Sequence, residues 1–140
     1  MKSFPALLLF VFLVSACAKP FDATTCLEDI PEKVRGLQVL QGPRTENSII
    51  ADMRPAVCNA QVLFNQMLEQ GDDLPAGELR YRVQVEYTGE AGVVELLDDS
   101  IGSNHLATEV RDFIMDSDFV NWSRHDDDAV FIYPIRLQRY

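Results

Sequence analysis

Residues 78–87 read Glu-Leu-Arg-Tyr-Arg-Val-Gln-Val-Glu-Tyr, an almost unbroken two-residue alternation. Leu79, Tyr81, Val83, Val85 and Tyr87 fall on one side of an extended chain; Glu78, Arg80, Arg82, Gln84 and Glu86 fall on the other. Successive strand side chains point to opposite faces, so this stretch predicts a strand covered on one face and wet on the other, the habit of antiparallel sheets. Thr88-Gly89-Glu90-Ala91-Gly92 predicts a turn, and residues 93–97 return as the hairpin partner.

Working outward, Met53, Val57, Ala60, Phe64, Met67 and Leu68 recur at three- and four-residue steps, which predicts a helix with one buried face. Asn47 or Ser48 is placed to cap it and Gly71 to end it. Pro55 implies either a kink or a main helix that begins with the proline in its first turn. Beyond the hairpin, Ser103 or Asn104 caps a second helix, whose Leu106, Val110, Phe113 and Ile114 share a face. A last strand over residues 129–138 points Phe131, Tyr133, Ile135 and Leu137 one way. The expected fold is therefore α+β in the order α-β-β-α-β, with two helices on one face of a three-stranded, mostly antiparallel sheet. The first strand is expected in the middle. A right-handed crossover then sets the last strand on its far side, parallel to the second.

The composition agrees with one folded domain. The chain has 140 residues, 47 % hydrophobic and 24 % charged, too few for two ordinary domains and too apolar for disorder. Twelve Lys+Arg stand against 22 Asp+Glu, a formal charge of −10. Nucleic-acid partners are not expected, because that affinity comes from cations displacing counterions.

Lys2 is the only charge in residues 1–16, and it precedes an unbroken apolar run from Ala6 to Val14. That is the layout of a secretory signal, too short for a membrane span. Val14-Ser15-Ala16-Cys17 resembles the bacterial lipobox, in which the cysteine is acylated and becomes the new N-terminus. The expected organisation is a lipoprotein signal at 1–16, a lipidated N-terminus and tether at 17–44, and a domain at 45–140. Ala18 stands where an Asp resembles an inner-membrane retention signal, so the outer membrane, on its periplasmic face, is the expected destination. Several acyl chains hold a protein far more firmly than one. Cleavage also removes one cation and no anion, so the anchor at Cys17, not the acidic domain, is expected to hold the membrane.

The segment from Ala18 to about Arg44 carries Pro20, Pro31, Gly36, Gly42 and Pro43 without a sustained period, hence the reading as a tether. Val34, Leu37, Val39 and Leu40 are nonetheless able to lay a short piece of it against the domain. With Cys17 spent on lipid, Cys26 and Cys58 remain. In an oxidising compartment they form either a disulfide, which constrains the unfolded chain by roughly 3–4 kcal/mol, or two thiols that never meet.

The succession Ala60…Leu63-Phe64…Leu68, the alternating strand to Tyr87, the turn at Gly89, Ser100-Ile101-Gly102 and Tyr133-Pro134-Ile135 resembles the C-terminal domain of TonB-type energy transducers. It is nearest the branch named for the AgmX/PglI gliding-motility proteins, over about residues 49–137. The resemblance implies a non-catalytic domain whose last strand, residues 130–137, is an open sheet edge for a partner, with Val130, Phe131, Ile132 and Tyr133 as the pairing residues. Pro134 limits the pairing or guards the edge. The branch's cysteine pair between the helices is missing near Leu63 and Glu109 or Val110, and its arginines and tryptophan appear only loosely as Phe119-Val120-Asn121-Trp122. Neither the uncleaved membrane helix nor the Pro-rich spacer of such transducers is present in this sequence, so coupling to a proton-driven motor is not expected.

Little else in the sequence points to chemistry. His125-Asp126-Asp127-Asp128 is the most ligand-like run, but it lacks the alternating ligands of a calcium loop and reads as a solvated turn. Ser100 and Ser103 beside His105 are explained by helix capping, since serine catalysis also needs an oxyanion hole and an orienting acid. No enzyme activity, cofactor, metal or small-molecule substrate is expected. The expected function is an outer-membrane lipoprotein that binds an envelope protein by strand addition. The alternatives are a structural accessory of a secretion or gliding-motility machine docking through helix faces, and a small periplasmic hydrolase or metal-binding protein.

Overall fold

The computed structural model describes residues 20–123 and 127–140. Its elements are α1 (Ala23–Glu28), β1 (Gln38–Gln41), α2 (Glu46–Glu69), β2 (Gly77–Val85), β3 (Ala91–Asp99), α3 (Asn104–Met115) and β4 (Ala129–Leu137). From α2 onward this is the α-β-β-α-β order that periodicity predicts. β2 lies between β3 and β4 and runs antiparallel to both, so β3 and β4 run parallel to one another on its two sides.

The sheet has four strands, not three: its order is β1-β4-β2-β3 and every pairing is antiparallel. The additional strand comes from the segment expected to be a tether. Gln38 pairs with Ile132, Val39 with Phe131 and Gln41 with Val130, and Leu37 beside them is buried. Gly42 then turns the chain with φ +94, where a Cβ would stand 2.7 Å from the Ala129 Cα; only glycine fits there.

α2 is one continuous helix through Pro55, which lies on its exposed side. Its cap is Thr45, two residues before the expected Asn47 and three before Ser48; the Thr45 hydroxyl accepts from the Ser48 N–H. Ser103 caps α3 by accepting from the Leu106 N–H. Leu79, Tyr81, Val83 and Val85 of β2 meet Phe131, Tyr133, Ile135 and Leu137 of β4 beneath Ile49, Met53, Ala60 and Phe64 of α2 and Leu106, Val110 and Ile114 of α3. This is one core. Tyr87, placed on the same side by alternation, follows the end of β2 and is exposed.

Cys26 and Cys58 are bridged, with their Cα atoms 5.9 Å apart. The bridge fastens α1 to the middle of α2, and the Arg54 Nε donates to the Cys26 carbonyl at 2.7 Å beside it. About one turn further along α2, buried Gln61 grips the residue that follows β4: its amide nitrogen donates to the Gln138 carbonyl and its amide oxygen accepts from the Gln138 N–H.

Burial sets a limit on alkaline stability. The Tyr133 phenol is pushed up to about 12 by desolvation, against a smaller opposing pull from Arg54, and Tyr81, whose hydroxyl donates to the Ala107 carbonyl, is raised as well. Between the ordinary tyrosine value of 10 and the raised one, the unfolded chain releases protons that the folded chain keeps. These tyrosines therefore leave stability unaffected below pH 10 and lower it as pH rises to 12, by about 2–3 kcal/mol for Tyr133. Urea midpoints measured across that window are expected to drop steeply, and less steeply for Tyr133→Phe.

Candidate functional site

Strand addition needs a row of backbone N–H and C=O groups without partners. The residues expected to supply it, Val130, Phe131, Ile132 and Tyr133, do not. β4 is an interior strand: β2 pairs along its whole length, and β1 takes Val130, Phe131 and Ile132 on the other side. Tyr133 is buried, and the Arg35–Gly36 turn continues the cover toward Pro134, whose Cγ lies 3.4 Å from where a Gly36 Cβ would be. The Arg136 guanidinium fixes that turn by donating to the Arg35 carbonyl at 2.7 Å. Over residues 130–132 the expected edge is closed by the chain's own N-terminal segment.

The sheet has two other borders. β1 is a poor template: four residues long, bulged against β4, and turned away at once by Gly42 and Pro43. β3 is the better one. Its nine residues pair only with β2 among the described residues. It carries neither Lys nor Pro, the usual guards of an edge. Val93, Leu96 and Leu97 are 45 %, 39 % and 39 % exposed, whereas Ala91 and Val94 turn into the core. Two bulges in its pairing with β2, near Arg80 and near Val85, twist the strand without shortening it. Its charges are Glu95, Asp98 and Asp99. The Asp99 carboxylate is engaged, accepting from the Ile101 and Gly102 N–H groups that lead into α3.

At the Ala91 end, the hairpin turn is locked by a clasp that sequence periodicity does not signal. Arg44 is 3 % exposed, with its guanidinium 5.8 Å from the Phe119 ring centroid and 5.9 Å from that of Trp122. It donates to the Glu86 carbonyl at 3.2 Å and faces the Asp52 carboxylate at 4.0 Å. Desolvation lowers its pKa and Asp52 partly restores it, so the guanidinium is held charged inside an aromatic pocket. Asp52 in turn accepts from the Val120 N–H. The Phe119 N–H donates to the Gly89 carbonyl and the Trp122 N–H to the Tyr87 carbonyl, so residues 119–122 are bound to the β2–β3 turn.

The remaining candidates are dispersed. Cys17, His125 and Asp126 lie outside the described residues. Asp128 accepts from the Gln84 amide through its carboxylate and from the Gln41 amide through its carbonyl, which ties the start of β4 to its neighbours. Ser100 exchanges hydrogen bonds with the Glu78 backbone, Ser103 is spent on the α3 cap, and His105 is exposed. Among the described residues, no three His, Cys, Asp or Glu side chains gather in a metal-binding group, and no helix is long and apolar enough to cross a membrane. The open β3 border could have been found from the sequence. Val93, Leu96 and Leu97 stand in a hairpin arm that has neither Lys nor Pro, and the later strand pairs with the other arm. Set against known proteins, the chain matches no family model, no curated protein and no solved structure.

Proposed function

We propose that the chain is a lipid-anchored, non-catalytic protein-binding module on the periplasmic face of the outer membrane, and that it captures an extended segment of an envelope protein by strand addition at β3. The observation that carries this reading is a nine-residue border without Lys or Pro that bears three exposed large apolar side chains. The lipobox-like Val14-Ser15-Ala16-Cys17 supports the anchor, and the α-β-β-α-β order supports a TonB-C-terminal-like domain. In this chain the pairing edge is the hairpin strand, because β1 covers the last one. With Glu95, Asp98 and Asp99 as its only charges, β3 suits a segment in which apolar residues alternate with Lys or Arg.

Photocrosslinking in intact cells tests the reading. A photoreactive residue at Val93 or Leu97 is expected to give a discrete adduct with one envelope protein. Val93→Lys combined with Leu97→Lys is expected to weaken that association by about tenfold, with the fold retained because both sites are exposed. Adducts that form from exposed Thr108 or Asp112 of α3 but not from β3 would replace strand addition by docking on a helix face.

A further inference from the structure

We propose that the end of the domain bearing Phe21 and Tyr140 rests on the bilayer and contacts zwitterionic lipid headgroups; this builds on acylation of Cys17. Only Ala18 and Lys19 separate that cysteine from Pro20, so the covalent leash reaches about 10 Å at full stretch. A domain held that closely presents to the membrane whichever surface surrounds Pro20. That surface carries an aromatic pair. The Phe21 and Tyr140 rings lie 5.5 Å apart, and Tyr140 is 64 % exposed. A groove of about 530 Å³ beside them is lined by Pro20, Phe21, Leu68, Arg139 and Tyr140 among others. Aromatic rings with one polar edge settle at the headgroup level of a bilayer, where apolar and wet surroundings meet.

The charges indicate which headgroups. Arg139 is drawn to Asp73 and Arg136 to Glu78, while the chain as a whole carries −10. Anionic lipid is repelled and zwitterionic lipid is not.

The fold supplies its own control at the opposite end. Gly77 pairs with Leu137 near Tyr140, and Val85 with Ala129 at the other end of the same two strands, roughly 25–30 Å away. Trp122, the chain's single tryptophan, is hydrogen-bonded to Tyr87 just past that far end.

The full, acylated chain is placed in vesicles of phosphatidylcholine and phosphatidylethanolamine with brominated acyl chains, which quench nearby indoles. Native Trp122 emission is expected to be unchanged relative to unbrominated vesicles. The emission added by Tyr140→Trp or Phe21→Trp is expected to fall roughly twofold, as an indole at the interface would. Unquenched added emission, with acyl groups on Cys17 confirmed by mass spectrometry, overturns the docking and leaves the anchor standing. Equal quenching of Trp122 and Trp at 140 also overturns it. Recovery of Cys17 without acyl groups overturns both the anchor and the docking.

Discussion

Arg44→Ala is expected to destabilise the protein by about 3–5 kcal/mol, a large part of the stability of a domain this size. The substitution removes a charge that is almost fully enclosed and that bridges three segments: the start of α2 through Asp52, the end of β2 through the Glu86 carbonyl, and the 119–122 loop through two rings. Asp52 keeps the Val120 N–H but loses its cation in a site where its own side chain is only 12 % exposed. Leaving one member of a buried pair alone is the costly case; replacing both by apolar groups often is not. Arg44→Met together with Asp52→Asn is therefore expected to recover part of the loss. Urea unfolding of the wild type, Arg44→Met, Asp52→Asn and the double variant as a double-mutant cycle, with Arg44→Ala beside them and the disulfide intact, measures it. A loss below about 1 kcal/mol for Arg44→Ala would mean the guanidinium is an ordinary surface cation.

Gly89→Ala, in the turn the clasp holds, is expected to cost about 3–4 kcal/mol. Two strains combine. The backbone has φ +92, where L side chains are rare, and a Cβ would stand 2.1 Å from the Phe119 carbonyl oxygen. That atom belongs to backbone already committed, since the Phe119 N–H donates to the Gly89 carbonyl. The loop can yield only by withdrawing Phe119 from the core and from Arg44. Gly71→Ala is the internal comparison: its φ of +98 is similar, but a Cβ there meets nothing within 4 Å. Thermal unfolding of both variants separates backbone strain from the clash. Gly71→Ala is expected to lose about 1 kcal/mol, and equal losses in the two variants would remove the clash from the account.

Elements set by periodicity were legible, and those set by distant partners were not. Alternation at 78–87 and helical spacing from Met53 to Leu68 each report a burial pattern contained within the segment, so core faces could be assigned residue by residue. Gln38–Gln41 carries no such record. It buries little, and what makes it a strand is β4, at the other end of the chain. Pro134 compounded the error. A proline inside a strand argues for a sheet edge, yet β4 is interior; the proline is tolerated beyond Ile132, where the ladder with β1 has already stopped. Arg44 was hidden for a related reason. An arginine beside a helix cap reads as solvated until aromatic rings from residues 119–122 close over it.

The closure of β4 by β1 bears on how the polypeptide is born. β1 precedes β4 by most of the domain, so the native border cannot assemble on the ribosome before β4 itself has been made. Until then the core residues of β2 lack the β4 side chains they pack with, so closure of this core is a late, non-local step of folding.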